Sequence, residues 1–161
     1  MDGLKNVFIA PYRIAEVNSP GDFAYQRHGY VHQGIDIYCD DQTIIHAYES
    51  GTIINICNFT GEFADPPTKW WNNTKSILVE GESGVIGYCE IIPDESLTIG
   101  EGVRVGQPLG RVTPVLKKDK GNGTTMLHLE LYKHGTKIHA DWSDGEGQPI
   151  ELLNPRVLLN Q

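Results

Sequence analysis

The sequence predicts a mainly β chain, an antiparallel β-sheet or sandwich domain, and three observations carry that expectation. Eighteen glycines and nine prolines in 161 residues cut the chain into short runs. No long window repeats apolar residues at helical spacing. Several runs alternate apolar and polar residues as half-buried strands do. The clearest is residues 125–132, which puts Met126, His128, Glu130 and Tyr132 on one face and the leucines on the other.

Taken in order, residues 1–30 read as an irregular lead-in broken by Pro11, Pro20, Gly21 and Gly29, and residues 31–161 as the core of a single domain. A loop carrying His32 is expected to turn at Gly34, where unusual backbone angles cost little, into a strand starting near Asp36. Residues 43–48 and 51–57 are two strand-like runs around a Glu-Ser-Gly turn and look like a hairpin. Residues 58–75 hold Pro66, Pro67, Trp70 and Trp71 and are too long for a hairpin turn; long loops of this kind are often functional. The paired tryptophans either wall a substrate groove or place one ring in the core and one on the surface. Residues 76–80 and 85–91 read as strands around a Gly-rich turn, and simple alternation puts Ile86, Tyr88 and Glu90 on one face with Cys89 on the other. Residues 97–112 form a glycine-punctuated ribbon of short strands, 117–123 a charged turn, and 154–159 a terminal turn or short helix.

A chain of this length can bury a core without disulfide staples. The formal net charge of −8 and a pI of about 5.1 leave no general basic surface, which argues against nucleic acid as a partner. No run approaches the ~18 apolar residues of a membrane span, and no secretory leader is visible at the start. The expectation is a soluble and, by default, cytoplasmic chain. Cys39, Cys57 and Cys89 are odd in number and have no CxxC spacing, so reduced structural thiols are expected.

His32 and Asp36 stand four residues apart across Gly34. On a straight strand they would lie roughly 13 Å apart, too far to share an ion at about 2 Å from each ligand, so the backbone must bend between them to make half of a metal site. Alone, a histidine near an aspartate is more often a hydrogen-bonded pair. A third ligand is needed.

The HxGxD-like run 32–36, the stretch 47–51 leading into a strand, the VxxGQxxG-style ribbon 100–110 and the terminal Asn-Pro-x-x-Leu-Leu together resemble the lysostaphin-type (LytM-like) zinc metallopeptidases, a family of duplicated-hybrid-motif, β-rich domains that cut peptide cross-links in peptidoglycan. The resemblance runs from about Arg13 to the C-terminus. It implies one Zn²⁺ held by His32, Asp36 and, as the second histidine of the family's His-x-His, His128. Two nitrogens and one carboxylate oxygen leave a fourth position open, as in hydrolytic zinc sites.

The chain departs from the family at both helper histidines. The first histidine of His-x-His falls on Met126, and the histidine of the Tyr-x-His triplet falls on Glu90 in Tyr88-Cys89-Glu90. The resemblance places Tyr88 and Glu90 in the metal cleft. The other histidines (His28, His46, His134 and His139) offer no evident replacement. With both helper histidines replaced, the reading favoured from sequence is a degenerate zinc-binding module for a peptide, cell-wall glycopeptide or protein partner; the alternative is an active zinc metalloendopeptidase with Glu90 as general base, and a third reading has His32 and His128 structural with no metal held.

Overall fold

In a computed structural model of the chain, which describes residues 3–117 and 125–159, nearly all regular structure is antiparallel β-sheet. The strands are β1 (Tyr12–Ile14), β2 (Ile35–Cys39), β3 (Ile44–His46), β4 (Gly51–Thr60), β5 (Thr74–Gly81), β6 (Gly84–Pro93), β7 (Gly102–Val103), β8 (Pro108–Val112), β9 (Met126–Tyr132) and β10 (Leu152–Leu153). One helical turn, α1 (Leu4–Val7), precedes them and a 3-10 helix (Pro155–Leu158) follows. The expected charged turn at 117–123 lies, apart from Lys117, outside the described residues.

The main path of the sheet runs β1-β2-β9-β6-β5-β4-β7. Strands β4 and β6 are ten residues each, long enough to serve two layers. Residues 84–89 of β6 pair with β5 and β9, while Ile91–Pro93 pair with β8; Gly51 and Thr52 at the start of β4 reach β7. The sheet thereby folds over itself. Ile35, Ile37, Ile53, Ile77, Ile86, Val103, Leu127 and Leu129 from the main path meet Ile45, Leu109 and Val112 from β3 and β8 in one buried cluster. Each such side chain contributes about 1.5–3 kcal/mol by leaving water. The face of the sheet turned away from this cluster carries the chemistry described below.

The hairpin expected from residues 43–57 does not form. β3 pairs with β8, and β4 pairs with β5 and β7. The Glu-Ser-Gly turn changes layers instead of reversing the chain within one. The lead-in is more regular than its prolines suggest, because β1 adds to the edge of β2. The strands β5 and β6 do form the expected hairpin, closed by Gly81 opposite Gly84.

Candidate metal centre

Backbone pairing aligns one transverse row of residues across five strands: Cys57 on β4, Ser76 on β5, Cys89 on β6, His128 on β9 and Asp36 on β2. Directly opposed residues of antiparallel strands project to the same face. The row is therefore a line of polar and nucleophilic side chains on the face opposite the apolar core.

At one end of the row, His32, Asp36 and His128 converge, all three buried. His32 lies before the strand, held by backbone bonds from its N–H to the Tyr25 carbonyl (2.9 Å) and from the Ala24 N–H to its own carbonyl (2.8 Å). Gln33 clasps the 140–142 segment by donating to the Ala140 carbonyl and accepting from the Trp142 N–H. Gly34 then permits the turn. A Cβ at that position would lie 2.5 Å from the Leu129 carbonyl oxygen and 2.7 Å from His128 Nε2, so only glycine lets the loop close over the His128 ring.

The candidate donor atoms of His32, Asp36 and His128 lie within 4.8 Å of one another, and the two histidine–aspartate separations are near those of tetrahedral ligands. His32 Nε2 and His128 Nδ1 stand 3.3 and 3.0 Å from Asp36 Oδ1, against the about 3.3 Å between ligands bound at ~2.0–2.1 Å in tetrahedral geometry. The far nitrogens are committed elsewhere. His32 Nδ1 donates to the Asp22 carbonyl at 2.8 Å, and His128 Nε2 donates to Glu130 Oε2 at 2.9 Å. Such outer hydrogen bonds fix ring orientation and turn the other nitrogen's lone pair toward the metal. The donor set suits Zn²⁺. Burial alone would raise the Asp36 carboxyl, but His128 and His32 outweigh it and hold it at about 2; His128 is likewise held well above its ordinary value, against the cost of burial, by Asp36 and Glu130.

Glu90 occupies a β-bulge. Pairing steps from Cys89 opposite Ser76 to Ile91 opposite Lys75, leaving Glu90 as an extra residue at φ 64°. The bulge corrects the alternation expected from sequence. Tyr88 is not in the cleft: it is fully buried in the core, where its hydroxyl accepts from the Tyr48 N–H at 2.9 Å. Cys89, not Tyr88, shares the site face. The Glu90 carboxylate nevertheless belongs electrostatically to the site, since burial pushes it up to about 7 and His128, Asp36, Arg27 and Glu130 are the charges acting on it.

Arg27 was not singled out in the sequence, because one arginine in an irregular loop carries no signal. Its guanidinium stands 3.8 Å from Asp36 Oδ2. Among the described residues, the buried side-chain polar atoms without a hydrogen-bond partner are Arg27 Nε and Glu90 Oε2. Both belong to side chains at this site. Glu130 is a second missed residue, although its phase with His128 on β9 was legible. Its buried carboxylate accepts from His128, from the Tyr132 hydroxyl (2.6 Å) and from His139. Phe59 packs over both imidazoles, its ring centroid 5.6 Å from that of His128 and 5.0 Å from that of His139. Met126 opens β9, half-buried and opposite Tyr38. Trp70 and Trp71 meet edge to face at 6.3 Å in the 61–73 loop, Trp70 largely exposed and Trp71 half-buried; neither joins an apolar core cluster.

Comparison with solved structures places this architecture. The catalytic domain of the antimicrobial peptidase lysostaphin from Staphylococcus simulans superposes with a TM-score of 0.56 at 15% identity, covering 93% of both chains. The fold is that of the lysostaphin-type peptidases. A variant catalytic domain of the prophage-encoded M23 protein EnpA from Enterococcus faecalis gives the same TM-score at 20% identity over 92% of each chain. Csd3 from Helicobacter pylori is matched over 87% of this chain but only 37% of its own length, at a TM-score of 0.48 and 19% identity. No protein-family model and no curated protein matches the sequence. No helix among the described residues is long and apolar enough to cross a membrane.

Proposed function

We propose that the chain is a zinc-dependent peptide-bond hydrolase of the lysostaphin-type fold, with His32, Asp36 and His128 as ligands and Glu90 as the proton-handling group. The observation that carries this reading is the pair of orphaned buried atoms, Glu90 Oε2 and Arg27 Nε, on side chains beside three convergent donor atoms. Buried polar atoms are satisfied in the great majority of cases, and a pair left open at one site is what a ligand and its water would complete.

A zinc ion bound there would polarise a scissile carbonyl and acidify water. The chain's own residues supply the rest. Glu90 Oε2 has no competing donor, and with its carboxyl lifted by burial to about 7 it can take a proton near neutral pH and return it to a leaving amine. Arg27 presents a cation to a substrate oxygen or to charge developing on it. Glu130 fixes the His128 ring, and Phe59 shields that side of the site from water. By the family resemblance the substrate class is a cell-wall peptide cross-link.

The second reading is a degenerate module that binds a peptide, cell-wall glycopeptide or protein without cutting it. Met126 favours it, since a thioether neither donates nor usefully accepts a proton, and one helper fewer costs about 10²- to 10⁴-fold in acid–base catalysis. Turnover of labelled cell-wall peptides by wild type, Glu90→Gln and Met126→His separates the two. The hydrolase predicts metal-dependent wild-type turnover lost in Glu90→Gln. The binding module predicts peptide binding with no wild-type turnover.

A further inference from the structure

The end of the transverse row away from Asp36 has a chemistry of its own. His139 sits over Ser76, its Nε2 2.6 Å from the Ser76 hydroxyl, and its Nδ1 donates to Glu130 Oε1. Cys57 Sγ lies 3.1 Å from the same Ser76 hydroxyl. A buried carboxylate thus orients an imidazole whose other nitrogen meets a hydroxyl that in turn meets a thiol, a chain of groups able to activate a nucleophile. Ser76 is fully buried, whereas Cys57 is half-exposed, so the sulfur is the reachable member of the pair.

We propose that Cys57 is a reactive thiol, activated by the His139–Glu130 pair, which forms a lasting mixed disulfide with small disulfide compounds. The Cys57 proton passes to solvent, and the thiolate is held by the Ser76 hydroxyl, itself bonded to the His139 imidazolium. The Cys57 sulfur attacks one sulfur of the incoming disulfide; a new S–S bond forms as the old one breaks, its electron pair leaves on the departing sulfur, and that thiolate takes a proton from solvent. Cys57 is oxidised and the small disulfide reduced, with no other reactant. The adduct lasts because no second thiol can resolve it. Cys89, the other thiol of the row, stands two strand spacings away, roughly 10 Å, beyond the ~7 Å Cα separation a disulfide tolerates.

The chain contains its own controls. Cys39 is also half-buried, yet burial pushes its thiol up to about 11. Cys89 is fully buried, and burial with the nearby carboxylates lifts it well above its ordinary value. At Cys57 burial also acts upward, but His139 and Ser76 outweigh it and the thiol falls below 9. The two thiols are shifted in opposite directions, and because thiolate fraction rises faster than intrinsic nucleophilicity falls as a thiol becomes more acidic, Cys57 is expected to react about 10-fold or more faster than Cys39 at pH 7.

The test treats the full chain at pH 7 with oxidised glutathione, and in parallel with dithiobis-nitrobenzoate, and follows each cysteine by peptide mass mapping. Cys57 should carry the mixed disulfide first, at least about 10-fold ahead of Cys39, and keep it. His139→Gln should slow Cys57 by a similar factor and leave Cys39 unchanged. Should that variant unfold, seen as all three thiols reacting together, Ser76→Ala takes its place and should slow Cys57 alone. Equal rates at Cys57 and Cys39, or a Cys57 rate indifferent to the folded variant used, would overturn the proposal.

Discussion

Replacing His139 with glutamine tests whether the Glu130 network stabilises the fold or merely occupies it. Burial pulls the basicity of His139 down, but the Glu130 carboxylate and the Cys57 thiol reverse this and raise it from 6.5 to about 9. A group whose folded value is raised contributes its full stability below the unfolded value of 6.5 and loses it as pH climbs through about 9. At ~1.4 kcal/mol per pKa unit the rise is worth about 3 kcal/mol, a large fraction of the ~5–15 kcal/mol that holds a domain folded. Glu130, held far below its ordinary value against the pull of burial by His139 and His128, reports the same interaction at the acid end, so the two are not added. Urea unfolding of wild type and His139→Gln in chelator, at pH 6 and pH 9.5, reads the difference. At pH 6 the wild-type midpoint should lie about 1–3 M higher, given urea slopes of roughly 1–3 kcal/mol/M, and by pH 9.5 the gap should have largely closed. A gap that stays constant across that range would refute the assignment of His139⁺ to the Glu130 carboxylate.

Elemental analysis should find one zinc per chain as purified, lost in His32→Ala and in His128→Ala; unchanged content in both would remove the ligand assignment. Gly34→Ala should cost more than about 2 kcal/mol and weaken zinc binding, because its Cβ collides with the Leu129 carbonyl and the His128 ring; wild-type thermal stability and zinc affinity would contradict the close approach. In metal-free protein, Glu90→Gln should stabilise the chain at pH 8 more than at pH 5, since burial raises the Glu90 carboxyl from 4.5 to about 7 and its charged form opposes folding above that value. Denaturation at the two pH values gives the sign, and an equal effect at both would place Glu90 in solvent.

The fold class was legible because turn residues and alternation are local properties, and the β5–β6 hairpin is a local contact. The 43–57 hairpin misled for the same reason: a good turn between two strand-like runs does not say which layer each run joins. His32, Asp36 and His128 were reachable from sequence as candidate ligands by resemblance, and the structure brings them together, with Gly34 supplying a physical reason for the bend. The network behind it was not. His139 lies in a loop, and its meeting with Glu130, Ser76 and Cys57 depends on the pairing order of β4, β5, β6 and β9, which no local pattern encodes. Tyr88 was misplaced because alternation was carried through Glu90, where one extra residue breaks the period.

That extra residue has a consequence for how such a site can change over time. Tyr88 and Ile91 both face the core and Cys89 faces the row, so removal of Glu90 would leave Tyr88, Cys89 and Ile91 in unbroken alternation with every neighbouring contact in phase. The carboxylate is carried by the one residue that breaks the period of the strand. Because Glu90 stands outside the pairing, its side chain can be exchanged without changing the phase of the residues on either side, and the group at this position can vary while the scaffold and the three candidate donor atoms stay where they are.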